Sequence, residues 1–200
     1  ICSPNNPTGN KLNRDSIYAI LDRFTSGFVI VDEAYIDFSD EPSFINELAK
    51  FPNLIVMQTL SKAYGLASLR LGMAYANPII IQLLNKIKPP YNIGGATQEL
   101  VEIALSNKEF VKTSIETLNN AKKALISGLN SLPGTKHIYP SNANFILVKF
   151  EQAQELFDYL IEQKIITRNR STVTLCEDSI RITIGTTEEN NLLLEKIKRF

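Results

Sequence analysis

Several polar side chains stand where apolar, strand-like runs stop. Lys62 lies in "TLSKAYGLASLRLG", just past the run "LIVMQT". Asp32 follows "FVIV", and Asn5 and Asn6 follow the apolar residue that opens "ICSPNNPTG". In open α/β sheets ligands bind outside the carboxyl ends of the strands. Parallel neighbours would therefore bring an amine, an acid and an amide to one crevice, which is what an active site needs. Desolvation lowers an amine's pKa from about 10.4 by up to several units. The neutral amine then condenses with an aldehyde as a Schiff base.

Pyridoxal phosphate (PLP) is the common cofactor that needs such a lysine. It also needs an anionic partner for its ring nitrogen, so that the pyridinium acts as an electron sink. Asp32 can be that partner. The cofactor's phosphate needs hydroxyls, backbone N–H groups and a cation. Thr59, Ser61 and Arg70 bracket Lys62 with those groups, and arginine grips phosphate through paired hydrogen bonds. Singly, each residue has a plainer explanation: Asp32 as a helix cap or turn residue, Lys62 as a solvated lysine, "NNPTG" as a turn, Tyr35 as a core residue with a satisfied hydroxyl. In combination, "NNPTG", "DEAY" and "SKAYGLASLRLG" each follow a strand of their own.

The elements that must position these residues alternate through the first ninety positions. "DSIYAILDRF" has helical spacing, with Asp15 as its expected N-cap. "GFVIVDEAY" reads as a buried strand, "EPSFINELAK" as a short helix, and "NLIVMQT" and "RLGMAYA" as further strands. Continuous apolar strands separated by helices predict a parallel or mixed sheet covered on both faces. "NPIIIQLLNKI" reads as a half-buried helix. After "KPPYN" a helical region runs from about Ala96 to Leu132, with a break near Asn107. Strand "NFILVKF", helix "AQELFDYLIEQ", strands "KIITR" and "SIRITIG", and a terminal helix "EENNLLLEKIKRF" follow. The expected organisation is α/β: part of a large domain over residues 1–95, a connecting helical region over 96–132, and a small α+β domain over 133–200.

Composition excludes some classes. The chain has 200 residues, 44% of them hydrophobic, enough for a sizeable core. Lys plus Arg and Asp plus Glu are both 21, so there is no basic excess for nucleic acid or an anionic membrane surface. Cys2, Cys176 and the single His137 make no disulfide framework and no metal-like cluster, and no metal is expected. A reducing, cytoplasmic setting is expected. No apolar run approaches the roughly 20 residues of a membrane span.

The motifs "SPNNPTG", "VDEAYIDF", "TLSKAYGLASLRLG", "SNANFILVKF" and "RITIGTTEEN" resemble the PLP-dependent aminotransferases of fold type I, the aspartate aminotransferase fold. The resemblance covers essentially all 200 residues. It implies Lys62 as the Schiff-base lysine and proton shuttle, and Asp32 as the pyridinium partner. It implies Asn6 and Tyr35 as the hydrogen-bond partners of the cofactor's 3′-oxygen, and Thr59, Ser61 and Arg70 as the phosphate set. Arg181 matches the arginine that clamps the substrate α-carboxylate, and Arg168 a second arginine that helps hold the substrate's phosphate end. Asn144 lines the pocket or serves a turn. Ser68 departs from the glycine more usual there, with little effect expected.

The activity so implied is amino transfer from glutamate to imidazole acetol phosphate, giving histidinol phosphate and 2-oxoglutarate in histidine biosynthesis, by a homodimer. Two alternatives remain within PLP chemistry: a threonine-phosphate decarboxylase and an aromatic aminotransferase. The chain opens on an apolar residue running into a turn and lacks the family's preceding half, with its stacking aromatic and phosphate-binding loop. It is therefore expected to be the C-terminal portion of a longer polypeptide. Alone it is expected to be inactive, a non-catalytic fragment.

Overall fold

The computed structural model describes all residues, 1–200. By contacts the chain divides into two units, one of Ile1–Pro4 with Lys11–Ser114 and one of Asn5–Asn10 with Ile115–Phe200.

In the first unit, helix α1 (Arg14–Arg23) is capped by Asn13, whose side chain accepts the Ser16 N–H at 3.0 Å. Asp15, expected as the cap, sits one residue into the helix instead. A cap needs extended backbone, which Asn13 has (φ −61°, ψ 127°); Asp15 places its charge beside the positive helix end. α1 buries Ile17 and Leu21 against β1 (Val29–Asp32) and β2 (Leu54–Thr59), in a core with Val29, Val31, Phe44, Phe51, Leu54 and Val56.

β1 and β2 run parallel, and β3 (Gly72–Ala76) pairs antiparallel with β2. Ile1–Ser3 lies parallel beside β1: Asp32 N–H donates to Ile1 O at 2.8 Å and Ser3 N–H to Asp32 O at 3.0 Å. The sheet is thus mixed, as expected. Only one face of β1 is covered, however. Val29 and Val31 are buried, whereas Ile30 and Met57 remain 45% and 42% exposed. The apolar strands present two faces, and within this unit α1 packs on one.

"EPSFINELAK" forms a 3-10 turn, Phe44–Glu47, opened by Ser43, rather than an α-helix. α2 (Pro78–Ile87) follows its Asn77 cap but buries only Ile80. It is less buried than expected, with Ile79, Leu83 and Ile87 exposed. α3 (Gly95–Ser106) and α4 (Lys108–Asn130) meet at Asn107, where the helical pattern predicted a break. The division between the units falls inside α4.

The second unit is an antiparallel sheet of order β4-β5-β7-β6. β4 (Thr135–Ile138) is absent from the sequence-based reading. It is an edge strand of mostly polar residues paired only with β5 (Phe145–Phe150). β6 is two residues, Arg168–Asn169, shorter than "KIITR" suggested, because Ile165 packs into the core before the ladder begins. Arg181 lies mid-strand in β7 (Ser179–Thr183), within the stretch "SIRITIG".

Helices α5 (Ala153–Glu162) and α6 (Thr187–Arg199) and the C-terminal part of α4 cover one face. Thr186 and Glu189 form a capping box at the start of α6. Leu125, Leu129, Ile146, Val148, Leu156, Leu160, Ile180, Ile182 and Leu193 make the core. Burial of a leucine such as Leu129 or Leu160, both fully enclosed, is worth about 1.5–3 kcal/mol. No helix is long and apolar enough to cross a membrane.

Candidate active site

Each unit carries a set of the candidate residues. In the first unit, β1 and β2 are parallel neighbours, so Asp32 and Thr59 both stand at carboxyl ends. Asp32 is half-buried, and its Oδ1 accepts the Ala34 N–H at 3.0 Å. This Asx-type turn fixes the carboxylate where β1 ends. Tyr35 is buried, and the Lys62 ammonium lies 5.4 Å from its ring centroid. Lys62 itself is exposed. The lysine therefore rests on an aromatic floor without being desolvated by this unit.

Thr59 organises the turn that follows β2. Its hydroxyl donates to Leu71 O at 3.1 Å, accepts the Ser61 N–H at 3.1 Å and lies 2.9 Å from Ser61 Oγ. Arg70 reverses the chain into β3 with a left-handed backbone, φ 54°, and donates from Nη1 to Ala67 O at 3.0 Å. Guanidinium has five donors, so this contact leaves others to meet an anion. Ser61, which directly precedes Lys62 in the chain, is thus tied to Thr59, and Arg70 stands just before β3. Burial, with the Asp37 charge second, pushes the neighbouring Tyr64 phenol above its ordinary pKa.

In the second unit, Asn6 and Arg181 meet: Arg181 Nη1 donates to Asn6 Oδ1 at 2.7 Å. The Arg181 guanidinium also sits 5.0 Å from the Phe145 ring centroid. Arg168 is the register partner of Arg181 across β6–β7, so both side chains leave the same face of the sheet. The backbone carbonyl of Asn144 accepts Ile184 N–H at 3.0 Å, extending the β5–β7 pairing by one residue.

Two participants escaped the sequence-based reading. Glu33 is 1% exposed, and its carboxylate accepts Ser43 Oγ at 2.5 Å, Phe44 N–H at 2.7 Å and Gln58 Nε2 at 2.9 Å. It ties the residue after Asp32 to the residue before Thr59, holding the two strand ends together. Period-two alternation through Val29 and Val31 marks position 33 as inward-facing. The other is Lys122 of α4, whose buried ammonium donates to Ser141 O at 3.1 Å and Ala143 O at 2.9 Å. Burial lowers its pKa. Leu118, Leu125 and Leu129 place position 122 on the apolar stripe of the helix.

Similarity to known proteins runs through the whole chain. A histidinol-phosphate aminotransferase of Cytophaga hutchinsonii is 48% identical over 200 residues, covering 100% of this chain and 57% of that protein. The chain thus spans little more than half the length of that curated relative. Among solved structures, the histidinol-phosphate aminotransferase of Clostridium acetobutylicum superposes with a TM-score of 0.92 at 24% identity, covering 100% of this chain and 62% of that one. The L-threonine-O-3-phosphate decarboxylase of Porphyromonas gingivalis gives 0.87 at 26%, covering 100% and 63%. The family model described as aminotransferase class I and II matches residues 1–197, and the chain belongs to that family.

Proposed function

We propose that the complete protein is a PLP-dependent aminotransferase. It moves an amino group between glutamate and imidazole acetol phosphate, giving histidinol phosphate and 2-oxoglutarate. The observation that carries this reading is the 48% identity, over the whole chain, to a histidinol-phosphate aminotransferase. The organisation proposed is a large domain, a connecting helical region and a small domain, working as a homodimer in the cytoplasm.

The donor set fits the cofactor. An aldehyde calls for an amine, which Lys62 supplies; a protonated ring nitrogen calls for a carboxylate, which Asp32 supplies. A phosphate calls for hydroxyls and a cation, which Thr59, Ser61 and Arg70 supply. When bound, PLP supplies an electrophilic carbon and a ring that accepts electron density from the substrate α-carbon. Lys62 is the residue that would hold that carbon through its amine, and the same amine would carry the proton to and from the substrate α-carbon. Asp32 keeps the ring nitrogen protonated. Asn6 and Tyr35 donate to the 3′-oxygen. Arg181 orients the donor's α-carboxylate, and Arg168 meets the phosphate end of the acceptor.

A second reading, threonine-phosphate decarboxylase, has the likeness to the Porphyromonas gingivalis enzyme in its favour. At 26% identity against 48%, it is the weaker. The test supplies the complete protein with PLP, glutamate and imidazole acetol phosphate and measures histidinol phosphate. Lys62→Ala should abolish turnover together with the cofactor's lysine-linked absorbance band. Asp32→Asn should slow α-proton removal far more than it raises KM, because the electron sink loses its counter-charge. Carbon dioxide release from threonine phosphate without 2-oxoglutarate formation, or normal turnover by Lys62→Ala, overturns the reading.

A further inference from the structure

We propose that Lys122 is a positioning residue, a buried clasp that sets the Asn6–Arg181 pair in place for substrate and cofactor. The reasoning starts at the ammonium and follows hydrogen bonds outward within the second unit. Lys122 is 8% exposed, and its Nζ donates to the carbonyls of Ser141 and Ala143. One ammonium has three donors and no acceptor, so it can gather two carbonyls that would otherwise repel each other.

Between those carbonyls, the Asn142 N–H donates to Gly9 O at 2.8 Å. Gly9 N–H donates to Asn5 O at 2.8 Å, and Asn5 N–H to Asn10 O at 2.8 Å. These bonds close the Asn5–Asn10 turn on which Asn6 sits. Contact between the two loops is tight. Gly9 has φ 77°, and a Cβ built there would lie 2.5 Å from Ser141 Oγ.

The same loop reaches the pair from its other side. Ser141 Oγ donates to Phe145 O at 2.5 Å, and the Phe145 ring lies against the Arg181 guanidinium. Segment Ser141–Phe145 therefore governs both supports of Arg181: the Asn6 carbonyl oxygen that receives its Nη1 and the ring it rests on. Lys122 is the side chain that reaches into that segment from α4. Loss of its donors leaves two carbonyls without their partner, and the segment relaxes towards water. Asn6 and Arg181 then lose their common reference. This inference rests on the reading of Asn6 and Arg181 as site residues.

The test compares Lys122→Met, which keeps the length and loses the donors, with Lys122→Arg, which restores donors and charge. Leu156→Ala, in the same core but remote from these hydrogen bonds, controls for lost stability. All are made in the complete protein. In the cofactor-free state, amide exchange at Gly9 and Asn142 should speed up at least tenfold in Lys122→Met and return towards wild type in Lys122→Arg. In the loaded protein, Lys122→Met should raise the glutamate KM about tenfold with a smaller change in kcat. It should also shift the pH midpoint of the cofactor's absorbance change, in the same direction as expected for Asn6→Ala. Leu156→Ala should do neither.

If Lys122→Met yields no folded protein, Lys122→Gln, whose uncharged amide ends one atom short of the ammonium, takes its place, with changes in the same directions but smaller, because the reach to the Ser141 and Ala143 carbonyls is shortened. Unchanged exchange at Gly9 and Asn142, or an equal KM and spectral change in Leu156→Ala, overturns the clasp. If Asn6→Ala and Arg181→Leu shift KM and spectrum while Lys122→Met does not, the clasp fails and the site reading stands. If neither Asn6→Ala nor Arg181→Leu has an effect, the site reading itself fails, and the clasp with it.

Discussion

Arg168 and Arg181 are direct register partners across β6 and β7. Directly opposed side chains share a face of the sheet, and like charges there are destabilising. Arg181 is committed to Asn6 and Phe145, whereas Arg168 is exposed. Such a pair makes physical sense when an anion visits it. Arg168→Gln should leave the ligand-free protein as stable as wild type or slightly more so. It should also lose much of the thermal stabilisation that added inorganic phosphate gives. Thermal melts with and without phosphate read both effects. A lower melting temperature with an unchanged phosphate response would make Arg168 an ordinary surface arginine.

Glu33 should prove a stability residue at the foot of the site. Its buried carboxylate receives three donors, from Ser43, Phe44 and Gln58. Glu33→Gln replaces one acceptor oxygen with an NH2 group, and an amide would then oppose the Gln58 amide. A buried group left without a partner costs about 1–3 kcal/mol, and that is the expected loss in chemical denaturation. Pairing it with Gln58→Glu restores a donor–acceptor match and should recover part of the loss, a coupling that a double-mutant cycle measures. Equal stability of Glu33→Gln and wild type would mean that the network does not hold the strand ends.

Most of the first unit's set was legible because each residue follows a strand with an unmistakable apolar run. "FVIV" and "LIVMQT" stand close to β1 and β2, so Asp32, Thr59, Ser61 and Lys62 fall at strand ends by counting. Other features were set by packing that one sequence does not display. Asn13 rather than Asp15 caps α1 because only Asn13 has extended backbone. β4 escaped notice because an edge strand of largely polar residues carries no apolar alternation, and its pairing with β5 alone defines it. Glu33 and Lys122 did leave signals, an acid on an inward strand position and a lysine on an apolar helical stripe. Both signals become interpretable only when the partners in distant segments are known.

Lys122 also predicts a pH dependence of stability. Burial lowers its pKa below the ordinary lysine value of 10.5, and both its partners are carbonyls rather than carboxylates. The unfolded chain therefore binds the proton more tightly than the native protein between the lowered value and 10.5. Stability rises with pH wherever the unfolded state holds more protons. Lys122's contribution is thus greatest above the unfolded pKa and is lost as pH falls through the native one. Between the lowered value and 10.5, wild type should gain unfolding free energy with pH relative to Lys122→Met, because methionine carries no proton to release. The gain belongs to the difference between the two proteins, since other lysines titrate alike in both. Denaturant titrations of both variants at successive pH values up to about 10.5 measure it. A pH-independent difference between wild type and Lys122→Met would show that the ammonium is not desolvated in the folded protein, and that solvent reaches the clasp.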